Sequence, residues 1–406
     1  MRKRVTKIAI TLAVAGGVIF AALAIAASDP AKGAPTAEER PVFEPNLKSE
    51  KKVVHPPYEM AKADKDCSFC HTEKDAKSGA LKMDMPELCN QCHEAKDSKK
   101  FVHGPVGAGA CTACHDPHES ENMKLLRFSN INQLCTSCHA DKGHFLKTTK
   151  NIHPPVQDQC TNCHDPHTEN FKFQLKADSK MDLCVMCHVD KKEHLATVTH
   201  KHGALDRPKK CLECHDPHGT GTPKMLKKDT TKDLCLSCHN DKMAAEGSKL
   251  TNMDKHLKDN PDHHGPILWG DCAACHNPHG SDNLRMLKKP FPETFYAKFD
   301  EKSYICFECH EPSKIQNEMT TTATNFRNGE KNMHFVHVNK DKGRSCRACH
   351  DFHGTKEYPH HLRAKTSFGA INFPIRYIET PAGGSCAPAC HARRGYDREK
   401  PIENLK

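Results

Sequence analysis

The chain has 406 residues, of which 36% are hydrophobic and 27% charged, and 60 Lys and Arg stand against 51 Asp and Glu for a formal charge of +9. So little apolar material excludes a conventional domain packed around a large aliphatic core, and no segment beyond residue 27 is apolar enough to span a bilayer. Cysteine and histidine are instead abundant, at 24 and 31 residues.

The N-terminus opens with Arg2, Lys3, Arg4 and Lys7, followed by an uncharged apolar stretch from Ile8 to Ala27. A basic start, an apolar run and Ala24-Ile25-Ala26 as an A-x-A-like cleavage site read as a signal peptide over residues 1–26. The apolar run is long for a signal peptide, so an uncleaved N-terminal anchor is the alternative. Either reading sends the remainder out of the cytoplasm. The first cysteine is Cys67, so no lipid-anchoring cysteine follows the leader. Residues 27–52 carry Pro30, Pro35, Pro41, Pro45 and mixed charges without periodicity and read as a disordered linker.

From residue 53 the chain is a repeat, and its cysteines carry the chemistry. Eleven C-x-x-C-H motifs run in order as Cys67, Cys70 and His71; Cys89, Cys92 and His93; Cys111, Cys114 and His115; Cys135, Cys138 and His139; Cys160, Cys163 and His164; Cys184, Cys187 and His188; Cys211, Cys214 and His215; Cys235, Cys238 and His239; Cys272, Cys275 and His276; Cys306, Cys309 and His310; Cys346, Cys349 and His350. A twelfth, Cys386-Ala-Pro-Ala-Cys390-His391, has one extra residue, and together the motifs use all 24 cysteines. Zinc sites, dithiol redox motifs and disulfide frameworks also use paired cysteines, but none demands a histidine after the second one. C-x-x-C-H is the attachment signature of c-type haem: two thiols reach two vinyl groups of one porphyrin edge and the adjacent imidazole binds the iron. About twelve covalent haems are therefore expected, with the motif histidines as proximal ligands. Cleavage at Ala26 leaves 380 residues, roughly 32 per haem, so the macrocycles themselves must serve as the core.

The repeating unit is a histidine in a turn, a motif that often continues as His-Asp-Pro-His, a spacer, and a second motif preceded by leucine. Upstream histidines are His55, His103, His153, His202, His264 and His337, and histidines three residues past a proximal one are His118, His167, His218, His279 and His353. These eleven are the candidate distal ligands. A histidine of the second kind lies on the proximal side of its own haem, so it is expected to reach a neighbouring iron. A twelfth distal ligand must come from His144, His194, His200, His256, His263, His334, His360 or His361. The first unit has Lys74 where the others have the later histidine. First-cysteine spacings lengthen after Cys235, which suggests an eight-haem section over 53–260 and a four-haem section over 261–406. Secondary structure is expected to be mostly irregular, with short α-helices, few strands and abrupt turns at Pro117, Pro166, Pro217 and Pro278.

Haem also changes the charge. Loss of the leader lowers +9 to +5, twenty-four propionates subtract 24 and twelve ferric cores add 12, which leaves about −7 oxidised and about −19 reduced. Nucleic-acid binding thereby loses its only support.

The doubled motifs, with Cys-x-x-Cys-His-Asp-Pro-His at Cys111, Cys160 and Cys211 as their most specific form, resemble the multihaem c-type cytochromes, among them periplasmic and extracellular electron carriers of metal-respiring bacteria. The resemblance covers about residues 55–391. It implies a haem-cored array of six two-haem repeats that conducts electrons through closely packed bis-histidine haems, from an inner-membrane quinol dehydrogenase toward an outer-membrane porin-cytochrome or extracellular cytochrome. The expected place is the periplasm, with extracellular or inner-membrane-anchored locations as alternatives and a membrane contact only through the N-terminal anchor. Filled axial positions make a carrier, whereas one open iron would make a reductase of a small nitrogen or sulfur oxyanion or a metal ion. A haem filament subunit is the third reading. No catalytic residue is assigned.

Overall fold

The computed structural model describes residues 47–243 and 250–404, so the expected leader and residues 27–46 of the expected linker lie outside the described residues. Among the described residues no helix is long and apolar enough to cross a membrane.

Each C-x-x-C-H motif closes one helical turn. The histidine N–H donates to the carbonyl of the first cysteine at 2.9–3.2 Å in all eleven, from His71 on Cys67 to His350 on Cys346. One turn puts positions i, i+3 and i+4 on one face, which is why this spacing converges two sulfurs and an imidazole. The second motif of a unit ends a short helix, as in Ile131–Thr136 and Thr231–Leu236, where Asn130 and Thr230 accept from the N–H groups of Gln133 and Asp233 as N-caps. The first motif of a unit is a bare 3₁₀ turn, as in Cys111–Ala113 and Cys160–Asn162.

The described residues contain seventeen strands, most of two residues. In chain order they are β1 (Lys48–Val54), β2 (Phe101–Val102), β3 (Glu119–Asn122), β4 (Asn151–Ile152), β5 (Thr168–Glu169), β6 (His200–Lys201), β7 (Gly219–Thr220), β8 (Asp262–His263), β9 (Gly280–Ser281), β10 (Arg327–Asn328), β11 (Lys331–Asn332), β12 (Gly354–Thr355), β13 (Lys365–Phe368), β14 (Ile371–Pro374), β15 (Ile378–Thr380), β16 (Gly383–Cys386) and β17 (Arg394–Asp397). Five antiparallel pairs share one logic: β1 with β3, β2 with β5, β4 with β7, β6 with β9 and β8 with β12. In each, the strand before the upstream histidine of one unit pairs with the strand after the later histidine of the next unit. The units are thus stitched head to tail, and β6–β9 carries the stitch across residue 260. Two-residue ladders are far too short to hold alone, so another element must hold the units together.

β1 starts at Lys48, which corrects the expected disorder of the linker for its last five residues. The reason is pairing: Val53 and Val54 sit opposite Ser120 and Glu119, with Lys52 Nζ 2.5 Å from Glu119 Oε1.

Among the described residues a protein core is nearly absent. The contiguous buried apolar cluster among the described residues is Ile375, Tyr377 and Tyr396, backed by Phe326, Met333, Tyr358, Leu362 and Cys386. It lies under the sheet β15–β16–β17, whose hairpin β16–β17 holds the Cys386–His391 loop between its strands. The hairpin needs glycine at 383, where a Cβ would come within 1.9 Å of the Tyr396 carbonyl oxygen. The odd spacing of the twelfth motif therefore belongs to a hairpin loop, where the other eleven belong to a helical turn.

Candidate functional site

The motifs are numbered here as sites 1 to 12 in chain order. Every motif histidine faces a second imidazole. At sites 1 to 6 the pairs are His71 with His118 at 6.2 Å between ring centroids, His93 with His55 at 6.1 Å, His115 with His167 at 6.2 Å, His139 with His103 at 6.0 Å, His164 with His218 at 6.3 Å and His188 with His153 at 6.1 Å. At sites 7 to 10 they are His215 with His279 at 6.1 Å, His239 with His202 at 6.3 Å, His276 with His353 at 6.2 Å and His310 with His264 at 6.0 Å. His350 meets His334 at 6.5 Å and His391 meets His337 at 6.4 Å.

This spacing tests the fit of haem. Two metal–nitrogen bonds of about 2 Å each, with the half-rings beyond them, separate the centroids of trans imidazoles by about 6 Å. Direct contact of stacked rings would bring the centroids closer. The ring planes are within 29° of parallel at eleven sites and tilted by 42° at site 12. The pairs of sites 4 to 12 border a continuous cavity of about 5050 Å³, which reaches site 3 at Ala113 and Cys114. That is roughly 500 Å³ for each of those ten sites, within the range of a small-molecule pocket. The residues present fit the group.

Second hydrogen bonds fix the tautomer needed. A histidine that donates from Nδ1 to a carbonyl offers the lone pair of Nε2 to a metal. His55, His103 and His153 donate from Nδ1 to the carbonyls of Pro117, Pro166 and Pro217 at 2.9–3.0 Å. Each acceptor is the proline of the next unit's His-Asp-Pro-His, and the backbone N–H of His55, His103 and His153 also donates to the carbonyl of His118, His167 and His218. The two kinds of candidate distal histidine are thereby locked side by side.

On the proximal side, His115, His164, His215, His276 and His350 donate from Nδ1 to the carbonyls of Lys124, Phe173, Lys224, Arg285 and His360 at 2.8–3.0 Å. Those five acceptors all have left-handed φ, between 55° and 63°. A side chain in that region costs on the order of 1 kcal/mol, and the repeated cost buys a carbonyl aimed at the imidazole. Sequence reading missed these residues. The signal was the Leu-Lys or Leu-Arg pair that follows: Leu126, Leu175, Leu226, Leu287 and Leu362 each bridge back to the motif histidine, as does Leu81 in the first unit.

The basic residue after each of those leucines recurs beside a cysteine. The N–H groups of Lys82, Arg127, Lys176, Lys227, Lys288 and Arg363 donate to the carbonyls of Cys70, Cys114, Cys163, Cys214, Cys275 and Cys349 at 2.9–3.0 Å. Burial raises those six thiols, and each cation draws its own neighbour back down. With haem attached these sulfurs would be thioethers, so the thiols mark candidate attachment points.

The attachment points also have an order. Within a unit the second cysteines interact: Cys70 with Cys92, Cys114 with Cys138, Cys163 with Cys187, Cys214 with Cys238, Cys275 with Cys309 and Cys349 with Cys390. Between units the first cysteines are neighbours: Cys89 and Cys111, Cys135 and Cys160, Cys184 and Cys211, Cys235 and Cys272, and Cys306 and Cys346. Each site from 2 to 11 therefore has one sulfur toward the site before it and one toward the site after it.

Burial favours the neutral form of His334, His279 and His353. Desolvation pulls His334 down, and it brings His279 and His353 to about 4, so the imidazoles carry a free lone pair at neutral pH. His334 is the residue that completes the distal set. It sits with His337 on the helix Met333–Val338, which Asn332 caps from β11 by accepting from the N–H groups of His334 and Phe335. His194 is not in a motif pair and spends Nε2 on the Gly280 carbonyl.

The profile of the doubled CXXCH motif matches residues 55–98, 103–144, 153–193, 202–244 and 264–315, more than half of the chain. The chain belongs to the doubled-CXXCH family. It is a multihaem c-type cytochrome of electron transport. The five matches cover the first five expected units, and the motifs at Cys346 and Cys386 lie beyond them. A stretch of 95 residues is 35% identical to multiheme cytochrome MtrA of Shewanella baltica, covering 23% of this chain. The chain thus matches about a quarter, 24%, of that relative's length.

Proposed function

We propose that this cytochrome is a twelve-haem conduit, with six two-haem units and every iron closed by two histidines. The pairing of all twelve motif histidines at 6.0–6.5 Å is the observation that carries this reading. When bound, each haem exchanges one electron between ferric and ferrous iron. The chain's own residues do the rest. Paired cysteines and one proximal histidine hold each group, a distal histidine excludes a small-molecule ligand, and carbonyl acceptors fix both rings. The later histidine of each unit from the second onward reaches back to the first site of the preceding unit, and the upstream histidine serves the second site of its own. Alternating cysteine contacts support an array in chain order, with site 1 and site 12 as its ends.

A chain exported to the periplasm with closed irons has carriers at both ends as its partners. Their classes are an inner-membrane quinol dehydrogenase as donor and an outer-membrane porin-cytochrome or extracellular cytochrome as acceptor. The relative named a multiheme cytochrome agrees with such a role. Residues 53–260 and 261–406 remain the proposed eight-haem and four-haem sections.

Carbon monoxide added to the fully reduced protein is the test. Closed irons are expected to leave the Soret band unmoved. A carbon monoxide complex in intact protein would show an open iron and favour the reductase reading.

A further inference from the structure

The residue after the proximal histidine is Asp116, Asp165, Asp216, Asn277 and Asp351 at sites 3, 5, 7, 9 and 11. Its side chain makes the same turn each time. Oδ1 of Asp165, Asp216, Asn277 and Asp351 accepts the N–H of His167, His218, His279 and His353 at 2.9, 3.0, 3.1 and 3.1 Å. In three of these the same carboxylate oxygen also faces the imidazole Nδ1, at 3.4 Å for His167, 3.7 Å for His218 and 3.9 Å for His353. Asn277 keeps the turn and lacks the charge.

The basic residue beside the second cysteine is common to the sites compared, as Arg127, Lys176, Lys227 and Lys288, so it does not distinguish them.

We propose that Asn277 makes site 7, between His215 and His279, the highest-potential centre among sites 3, 5, 7 and 9, so that an electron entering this stretch rests there. The inference relies on the histidine pairing proposed above. A carboxylate 3.4–3.9 Å from the outer nitrogen of a ligand imidazole places a negative charge beside that ligand and favours the more positive ferric state. Reduction adds one electron to one iron with no bond made or broken, so a missing negative charge at the ligand raises the potential. Site 7 lies mid-array, where a low point for the electron divides the conduit into two halves.

The test is a pair of isosteric exchanges in the full holoprotein, Asn277→Asp and Asp216→Asn, read by potentiometric titration of the haem absorbance. Haem content and a ferric spectrum without high-spin iron are checked first, which tests the pairing separately. With both intact, N277D is expected to move one one-electron component down by about tenfold in its reduction equilibrium, or 59 mV, and D216N to move one up by a similar factor. Asn and Asp make the same turn, so a purely structural role leaves both titrations unchanged. Unchanged titrations, or shifts of the same sign in both variants, would overturn the proposal. Should N277D lose haem, D216N carries the test with the opposite sign.

Discussion

Replacing all 24 cysteines by serine is expected to leave the chain largely unfolded. The described residues offer one small apolar cluster around Ile375, Tyr377 and Tyr396, while a cavity of about 5050 Å³ runs past ten of the twelve motifs. Without macrocycles that space is water, and two-residue strands cannot hold the units against chain entropy. Ligation and folding are then one event. Small-angle scattering of the exported, haem-free variant should give a radius of gyration approaching the about 70 Å of an unfolded chain of this length. Far-UV dichroism should lose its helical signal, and protease should cut throughout. A haem-free chain with the hydrodynamic radius of the holoprotein would show that the polypeptide holds itself together.

The second large effect is expected from His218→Ala. His218 follows the site 7 motif, yet its ring lies 6.3 Å from His164 of site 5, so one substitution in the fourth unit should open an iron in the third. One haem in twelve should become high-spin and bind carbon monoxide, and thermal stability should fall, because a link between units is lost along with a ligand. Combining His218→Ala with Cys160→Ser and Cys163→Ser identifies the iron. If His218 serves site 5, the triple variant lacks that haem and shows no high-spin signal. A high-spin signal that persists in the triple variant would assign His218 to another iron and break the unit-to-unit order.

Much of this was legible in the sequence because the repeat is written in residues with few alternative uses. Twelve histidines after second cysteines marked the candidate proximal set, and the His-Asp-Pro-His offset suggested the later histidine as a partner for a neighbouring site, where the structure places it opposite another motif histidine. All eleven candidate distal histidines stand opposite a motif histidine, and His334 supplies the twelfth. His334 was harder to single out because it lies outside both repeated positions. It comes from a helix upstream of His350, at an offset that no other facing pair shares. The stitching strands were not legible, since two residues carry no periodicity. Nor were the left-handed carbonyl acceptors, because Lys124, Phe173, Lys224, Arg285 and His360 share a conformation and no chemistry. The leucine and basic residue that follow them do repeat, and they mark the place.

The most direct measurement is an electron paramagnetic resonance spectrum of the oxidised, fully loaded protein, integrated against its haem content. Twelve irons held between paired imidazoles should give low-spin ferric signals alone, eleven from near-parallel rings and one from the tilted pair His337 and His391. A high-spin ferric signal amounting to one haem or more in intact protein would contradict a fully closed array.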